Sequence, residues 1–218
     1  GNQLDTGEVA AVLEGEQVAA KDRDIQEVLN YRKVLTYIDK SQRLQKSQKS
    51  QRVSEKDLLT IHKLTVDKVL RTDAAGKYRK TQVVVKNTKT REVSFRPPSA
   101  EQVPKLAKDF FSWLNSDTVS EIHPVITAGI THYVLAYIHP FVDGNGRAAR
   151  ALATMVLFTR GYDIKKFFSL EEYFDRNAKR YYETLQTVSN QKAELSDKDL
   201  TSWLEYFCEG LAEELSRI

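Results

Sequence analysis

The sequence predicts a mainly α protein that carries one small β-hairpin. Two observations support this fold class. Apolar residues recur at helical spacing over most of the 218 residues, and only the segment 76–98 has strand-like composition. A chain of this length can bury its own core, so we expect one main domain with seven or eight helices. The hairpin is too short to be stable alone and should therefore lie on the helical bundle.

Three segments near the start of the chain are predicted to form helices with one apolar face. Residues 7–13 form a short segment of this kind, and residues 18–38 form a longer amphipathic one. Ser54 is followed three residues later by Asp57 and then by an apolar run, which is typical of a capped helix start. This third helix should extend over residues 54–70.

The strand-like segment follows these helices. Residues 83–85 are consecutive valines, and β-branched side chains favour extended backbone. Residues 87–90 are turn-like, and beyond them apolar and polar residues alternate up to Phe95. The whole segment is therefore predicted to be a hairpin.

Helical periodicity returns after the hairpin and continues to the end of the chain. Five further helices are predicted, over residues 99–115, 124–138, 147–160, 170–189 and 200–216.

These elements suggest a division of the chain into four parts. The Lys- and Arg-rich run at 40–52 carries almost no apolar residue, so we interpret it as a solvated connection or a helix end. The parts are N-terminal helices at 1–40, a polar connection at 41–54, a core at 55–190 and a C-terminal helix at 191–218.

Composition limits the classes of function. The 33 basic and 30 acidic residues leave a net charge of +3 and a pI of about 8.8, which gives little support for extensive nucleic-acid binding. The single cysteine, Cys208, excludes a disulfide framework. No apolar run approaches the roughly 20 residues that cross a membrane. We therefore expect a soluble, cytoplasmic protein with no membrane partner.

The segment 139–150 carries the residues with the clearest chemical roles. It forms a loop between two predicted helices and contains two glycines, which permit backbone conformations that other residues avoid. With Gly144 and Gly146 at the start of a helix, successive N–H groups can point into one concavity and bind a phosphate. Arg147 and Arg150 lie three residues apart on the emerging helix, so both can reach an elongated polyphosphate.

Two further side chains complete this loop. Asp143 offers the hard oxygen ligand that Mg²⁺ on those phosphates requires, and His139 stands beside the phosphate as a candidate base. A Gly-x-Gly turn alone would be weak support, because turns before helices contain glycine for structural reasons. Together, a base, a carboxylate, an anion cup and two arginines match every component of metal-assisted nucleotidyl transfer. The other histidines, His62, His123 and His132, are interpreted as structural.

The loop resembles the signature of the Fic family, His-Pro-Phe-x-Asp/Glu-Gly-Asn-Gly-Arg-x-x-Arg, and residues 139–150 meet every specified position. The resemblance implies a Fic-type helical core with a β-hairpin flap over the active site, which agrees with the element order predicted above. Other segments that are similar to this family are 30–32, 76–79, 95–98 and 181–182.

By this resemblance, the protein would transfer AMP from ATP to a hydroxyl group of a target protein. His139 would take the proton from a Ser, Thr or Tyr side chain, whose oxygen attacks the α-phosphate and expels pyrophosphate. Asp143 would hold Mg²⁺, so ATP and Mg²⁺ are the implied cofactors. The flap at 80–95 would align the target by strand addition, and Tyr182 falls where the family places a contact with adenine.

The resemblance also implies how the phosphates are bound. The amides of Gly144, Asn145 and Gly146 would stabilise charge on the phosphate oxygens. Arg147 would bind the β-phosphate and Arg150 the γ-phosphate. Gly146 makes the transfer of a terminal phosphate a less favoured activity for this chain. The relatives with that activity have Lys at this position and bind the nucleotide in the reversed orientation.

Residues 10–15 resemble the family's inhibitory helix, whose pattern is Ser/Thr-x-x-x-Glu-Gly/Asn. In that arrangement Glu14 pairs with Arg150 and removes the partner of the γ-phosphate, so ATP binds in a nonproductive pose. Ala10 stands where the family has Ser or Thr, which is a departure from the pattern.

Other activities stay open on the same scaffold. Relatives transfer UMP or phosphocholine, and Glu14 could place a water molecule for the removal of AMP. A non-catalytic nucleotide- or DNA-associated regulatory module is a third interpretation. Residues 200–207 resemble the helix that precedes a winged-helix module in many bacterial relatives, so DNA contact is expected only through a C-terminal module outside this chain. The implied partner is the target protein, and the family also allows a homodimer.

Overall fold

The computed structural model describes residue 4 and residues 6–48, 52–86, 91–162 and 170–216. Within these residues the fold is mainly helical with one two-stranded antiparallel sheet, which confirms the predicted fold class. None of the described helices is both long and apolar enough to span a membrane. The elements are α1 (Thr6–Glu14), α2 (Asp22–Gln48), α3 (Glu55–Thr65), β1 (Val85–Lys86), β2 (Val93–Phe95), α4 (Val103–Leu114), α5 (Asp117–Glu121), α6 (Pro124–Ile138), α7 (Asn145–Thr159), α8 (Leu170–Arg176), α9 (Ala178–Ser189) and α10 (Thr201–Ser216).

Helices α6 and α7 form the buried centre of the fold. Both contain small residues, among them Ala128, Gly129 and Ala149, which let neighbouring helices approach closely. A Cβ at Gly129 would lie 2.8 Å from a methyl carbon of Leu204, so α10 packs directly against the α6 backbone. The indole of Trp203 donates a hydrogen bond to the Gly129 carbonyl at 2.8 Å. Helices α2 and α3 pack against α7.

Helix α3 begins with the predicted cap. The Ser54 hydroxyl accepts a hydrogen bond from the Asp57 N–H at 3.3 Å, and the Asp57 carboxylate accepts one from the Ser54 N–H at 2.7 Å. The helix ends at Thr65, earlier than predicted. There the buried side chain of Asn30 donates to the carbonyls of Thr65 at 3.2 Å and Asp67 at 2.7 Å. The first bond satisfies a carbonyl that the end of the helix leaves without a helical partner, and the second holds the turn that follows the helix.

Other helical boundaries also differ from the sequence prediction. The predicted polar connection at 41–54 begins as helix, because α2 continues to Gln48 through residues of good helix propensity. The predicted helix over 170–189 is divided at Asn177, whose backbone leaves helical values (φ −107°, ψ 31°). The Asn177 side chain donates to the Tyr173 carbonyl at 3.1 Å, which competes with a continuous helix. The short α5 was not predicted.

The hairpin lies on the helical bundle, as predicted. Val85 pairs with Phe95 across the two strands. The Phe95 ring contacts Tyr137 of α6, with ring centroids 5.6 Å apart. The strands are shorter than the composition indicated, and the turn predicted at 87–90 lies outside the described residues.

Candidate active site

His139 follows helix α6 in a backbone conformation that is uncommon for a residue with a side chain. Its φ angle is +50°, in the left-handed region, while its N–H still bonds to the Leu135 carbonyl at 3.0 Å. Ring Nδ1 lies 3.3 Å from the carbonyl oxygen of Ala136, which can only accept a hydrogen bond. Nδ1 therefore carries the proton of the neutral ring, and Nε2 is the proton acceptor. Burial lowers the pKa of His139, which keeps the ring neutral near pH 7.

Arg79 connects His139 to the base of the hairpin. Its buried guanidinium donates from Nε to the His139 carbonyl at 2.8 Å. The terminal nitrogens donate to the carbonyls of Thr81 at 3.2 Å and Pro98 at 2.5 Å. The Arg79 N–H also bonds to the Pro140 carbonyl at 2.9 Å. In the sequence, Arg79 is only part of the family-like segment 76–79. No role could be predicted for it, because a single arginine does not indicate which groups it contacts.

A pair of stacked rings supports the loop between α6 and α7. The fully buried Phe141 lies parallel to His62 of α3, with centroids 3.6 Å apart and an interplanar angle of 1°. Burial lowers the pKa of His62 to about 4, so this ring is neutral. Asn145 closes the loop, because its side chain accepts from the Phe141 N–H and donates to the Phe141 carbonyl, both at 2.8 Å. The Asn145 side chain is thus used within the loop, and its backbone N–H is the group that can face a ligand.

The first turn of α7 presents backbone N–H groups at the end of this loop. The helix begins at Asn145, so its first amides have no partner inside the helix. Gly144 has a φ angle of +78°, and a Cβ there would lie 2.7 Å from Cγ1 of Val66, so only glycine fits. At Gly146 a Cβ would lie 3.4 Å from Nη1 of Arg150. The missing side chain therefore leaves room beside that guanidinium.

Arg147 is paired with a carboxylate that the sequence did not indicate. Its Nη1 lies 2.8 Å from Oε1 of Glu27 in α2, and the two side chains are only 18% and 11% exposed. The atoms are close but not aligned as a hydrogen bond, so the contact is mainly electrostatic. Low exposure makes this attraction stronger than that of a surface pair.

Asp143 is half-buried, and both of its carboxylate oxygens have partners. Oδ1 accepts from the Gly144 N–H at 2.6 Å, and Oδ2 accepts from Nη2 of Arg23 at 3.0 Å. Arg23 also donates to Glu27 at 3.1 Å, so α2 places a cation on Asp143 and an anion on Arg147. The sequence did not reveal this group, because Arg23 and Glu27 look like an ordinary solvated pair four residues apart on a helix.

The carboxylate of Asp143 suits a divalent cation that arrives with a ligand. Among the described residues, no group of three or more His, Cys, Asp or Glu side chains could hold a metal ion by itself. Mg²⁺ is commonly bound through one or two carboxylates together with phosphate oxygens and water. A single carboxylate beside the amides of α7 fits that arrangement.

Arg150 lies one turn along α7, near a buried polar pair. Nε2 of His132 lies 3.0 Å from the Tyr181 hydroxyl, so His132 has the structural hydrogen bond that the sequence predicted. Burial and, to a lesser extent, the charge of Arg150 together lower the pKa of His132 to about 3. Tyr182 is 61% exposed, and its ring meets Tyr181 edge to face at 5.0 Å. Its exposed ring could therefore stack against an aromatic ligand.

The structure does not show the predicted pair between Glu14 and Arg150. Glu14 is exposed at the end of α1 and has no ion pair or hydrogen bond to another described side chain. Helix α1 is instead held to α2, where Arg32 donates to the Leu13 carbonyl at 3.0 Å. The inhibitory role of Glu14 therefore stays a prediction.

These elements define a class of helical protein in which one short loop joins an imidazole to the start of a helix whose first amides have no helical partner. Residues 52–157 match the family model described as the Fic/DOC family. The chain belongs to this family and carries a Fic domain, as its motif indicated.

Curated relatives carry the same domain within longer chains. A protein adenylyltransferase Fic of Nematostella vectensis is 34% identical over 151 residues, which cover 68% of this chain and 33% of the relative. The protein adenylyltransferase fic-1 of Caenorhabditis elegans is 34% identical over 164 residues, which cover 74% of this chain and 30% of the relative. The matched part of this chain thus spans about a third of the length of these relatives.

Solved structures share the fold over nearly the whole chain. A Fic family protein from Desulfovibrio desulfuricans has a TM-score of 0.80 and 27% identity, with 99% of this chain and 59% of that chain covered. Fic-1 from C. elegans has a TM-score of 0.75 and 25% identity, with 100% of this chain and 58% of that chain covered. The arrangement of helices and hairpin described above is therefore that of a Fic protein.

Proposed function

We propose that this chain is a protein adenylyltransferase that moves AMP from ATP to a Ser, Thr or Tyr hydroxyl of a target protein. The observation that carries the proposal is the loop at 139–150, in which His139, with Nε2 as its proton acceptor, is followed six residues later by Asn145 and the first amides of α7. Relatives named protein adenylyltransferase support the same activity.

The proposed reaction is a displacement at the α-phosphorus of ATP. The target hydroxyl oxygen forms a bond to this phosphorus as the bond to the bridging oxygen breaks, and pyrophosphate leaves with the bonding electron pair. His139 Nε2 accepts the hydroxyl proton. The contact of its Nδ1 with the Ala136 carbonyl keeps the ring oriented and stabilises the imidazolium that forms.

Helix α7 supplies the groups that would bind the phosphates. The amides of Asn145 and Gly146 would stabilise the charge that develops on the α-phosphate oxygens. The Gly144 amide, which the sequence predicted to join them, donates to Asp143 Oδ1 in the structure and would have to leave that bond to contact a phosphate. Arg147 would bind the β-phosphate and Arg150 the γ-phosphate, which orients pyrophosphate as the leaving group. Asp143 would hold Mg²⁺, which supplies neutralising charge to the phosphates when bound.

The hairpin and α9 would position the other parts of the substrates. The described residues of the flap at 80–95 form two strands, so an extended target segment would add to an open edge of this sheet and place its hydroxyl near His139. Tyr182, exposed on α9, would stack against the adenine.

The same proposal includes inhibition by Glu14. A carboxylate on Arg150 would remove the partner of the γ-phosphate and add negative charge beside it. The nucleotide would then bind without the alignment that transfer requires.

The experiment that tests the activity is intact-mass analysis after incubation with ATP and Mg²⁺. We expect AMP to appear mainly on the Glu14→Gly variant, because that change removes the carboxylate that would pair with Arg150 in the inhibited state. Adding His139→Ala to it should remove the modification. Parallel incubations with UTP, and with a target that already carries AMP, would identify another donor or the reverse reaction. Absence of AMP from every variant that binds ATP would contradict the proposal.

Arg23 is expected to weaken Mg²⁺ binding, because it occupies the carboxylate that would bind the ion. Arg23→Ala should lower the half-saturating Mg²⁺ concentration of ATP binding by about two- to fivefold, as expected for the loss of an exposed ion pair. Titration calorimetry with ATP at varied Mg²⁺ measures the change.

A matched control lies on the same helix. Arg43 pairs with Asp39 four residues before it, away from the loop, so Arg43→Ala should leave the Mg²⁺ dependence unchanged. An equal shift in both variants would show that the effect comes from net charge alone.

A further inference from the structure

We propose that His62 is a positioning residue that holds the phosphate-binding loop and the base of the hairpin in one fixed arrangement. Each of its two ring nitrogens makes one hydrogen bond, one to each of these segments. The inference rests on the proposed function, since the loop and the hairpin are the parts that would hold ATP and the target.

The two hydrogen bonds of His62 require one tautomer. The Gly76 N–H donates to Nδ1 at 2.9 Å, and a backbone N–H can only donate, so Nδ1 carries no proton. In the neutral ring the proton is then on Nε2, which donates to the Asp143 carbonyl oxygen at 3.0 Å. Neither the other tautomer nor the charged ring can make both bonds.

The loop rests on the same ring through apolar contacts. Phe141 stacks face to face on the His62 imidazole. A Cβ on Gly144 would lie 3.5 Å from Nε2 of His62 and 2.7 Å from Val66, so the loop backbone passes directly over α3. Because the ring is fully buried, the loop cannot shift without breaking this packing.

The other bond fixes the start of the hairpin segment. Gly76 has a φ angle of +69°, and a Cβ there would lie 2.9 Å from the Leu59 carbonyl oxygen, so its turn packs closely against α3. Three residues further, Arg79 donates to the carbonyls of His139 and Pro98. A displacement of the Gly76 turn would therefore reach the backbone of the candidate base.

Two substitutions separate the two bonds. The side-chain oxygen of Asn can take the place of Nδ1, so His62→Asn should keep the bond from Gly76 and lose the bond to Asp143. The amide nitrogen of Gln can reach the place of Nε2, so His62→Gln should keep the bond to Asp143 and lose the bond from Gly76. Both variants lose the imidazole stacking and differ by one methylene, so the segment in which exchange rises, rather than the size of the rise, reports which hydrogen bond was lost.

The test measures hydrogen–deuterium exchange of the full chain and its affinity for ATP. In His62→Asn, exchange of the hydrogen-bonded amides of Phe141, Gly144 and Ala148 should rise about fivefold, as expected for one lost hydrogen bond, and ATP affinity should fall by a similar factor. In His62→Gln, exchange at 74–79 should rise instead, with ATP affinity within about twofold. His123→Asn is the matched control, because His123 accepts from the Val125 N–H at the far end of α6.

Nitrogen chemical shifts of the unmodified chain provide a second measurement, which does not depend on the folding of a variant. Neutral His62 should show a protonated Nε2 and an unprotonated Nδ1. The opposite tautomer, or equal exchange in both variants at both segments, would overturn the inference. Neither measurement requires AMP transfer, so a chain that fails to transfer AMP but shows the reciprocal exchange pattern would contradict only the proposed function.

Discussion

The His139→Ala variant is expected to lose at least about 100-fold in the rate of AMP transfer, the contribution that a positioned general base commonly makes. Its affinity for ATP should stay within about twofold of the unmodified chain, because the amides and arginines of α7 remain in place. The imidazole also has no hydrogen bond to these groups among the described residues. Single-turnover transfer of labelled ATP, measured together with binding of a non-hydrolysable analogue, separates the two effects.

The pH dependence of the unmodified enzyme checks the same assignment. Burial lowers the pKa of His139 from its ordinary value of 6.5, so the neutral base should predominate already at that pH. The rate should therefore rise with pH and reach its plateau at or below about pH 7. His123→Ala, a change at the start of α6, should keep both the rate and the profile. Full activity of His139→Ala would exclude this residue as the base.

Replacement of Arg79 by Met is expected to lower the free energy of unfolding by about 3 kcal/mol or more. Met keeps the apolar stem but removes the charged donors that bind the carbonyls of Thr81, Pro98 and His139. Hydrogen bonds to a charged group contribute about 1.5–3 kcal/mol each, although water can partly replace them at carbonyls that become accessible. Urea unfolding followed by circular dichroism measures the loss.

A surface arginine provides the comparison for this variant. Arg71 is exposed and pairs only with the nearby Asp73 among the described residues, so Arg71→Met should change the free energy of unfolding by less than about 1 kcal/mol. A similarly small change in Arg79→Met would mean that the hairpin base is held by packing. The transfer rate of Arg79→Met should also fall, because the backbone of His139 would lose a fixed neighbour.

The sequence could predict the features that depend on residues close together in the chain. The cap at Ser54 and Asp57, the apolar faces of α6 and α7, and the loop between them are local patterns, and the structure confirms them. The motif at 139–150 is continuous for the same reason. Its likeness to a known family therefore depends on the sequence alone and not on contacts between distant residues.

The contacts that surround the motif could not be predicted in this way. Glu27 and Arg23 reach the loop from α2, and His62 reaches it from α3, so each contact depends on how distant helices pack. In the sequence, a charged pair on an amphipathic helix has the same pattern whether it faces solvent or a site. A histidine within an apolar run likewise indicates burial but not its partners.

Asn145 shows the same limit within the motif itself. The sequence predicted a phosphate contact for its amide, which stays a prediction, but the reciprocal bonds of its side chain with the Phe141 backbone depend on the path of the loop. The continuation of α2 to Gln48 depends on helix propensity and not on an apolar face. The spacing of apolar residues therefore could not predict this boundary.

The short loop between α6 and α7 also joins two helix ends of opposite electrical sign. The peptide dipoles of α6 leave a partial negative charge near His139, and those of α7 leave a partial positive charge at Asn145. The negative end favours a proton on the imidazole, while the positive end favours the phosphate. Under the proposed function, α6 and α7 would thus place the proton acceptor at a negative helix end and the bound phosphate at a positive one. A histidine placed instead on the first turn of α7 would be a weaker base.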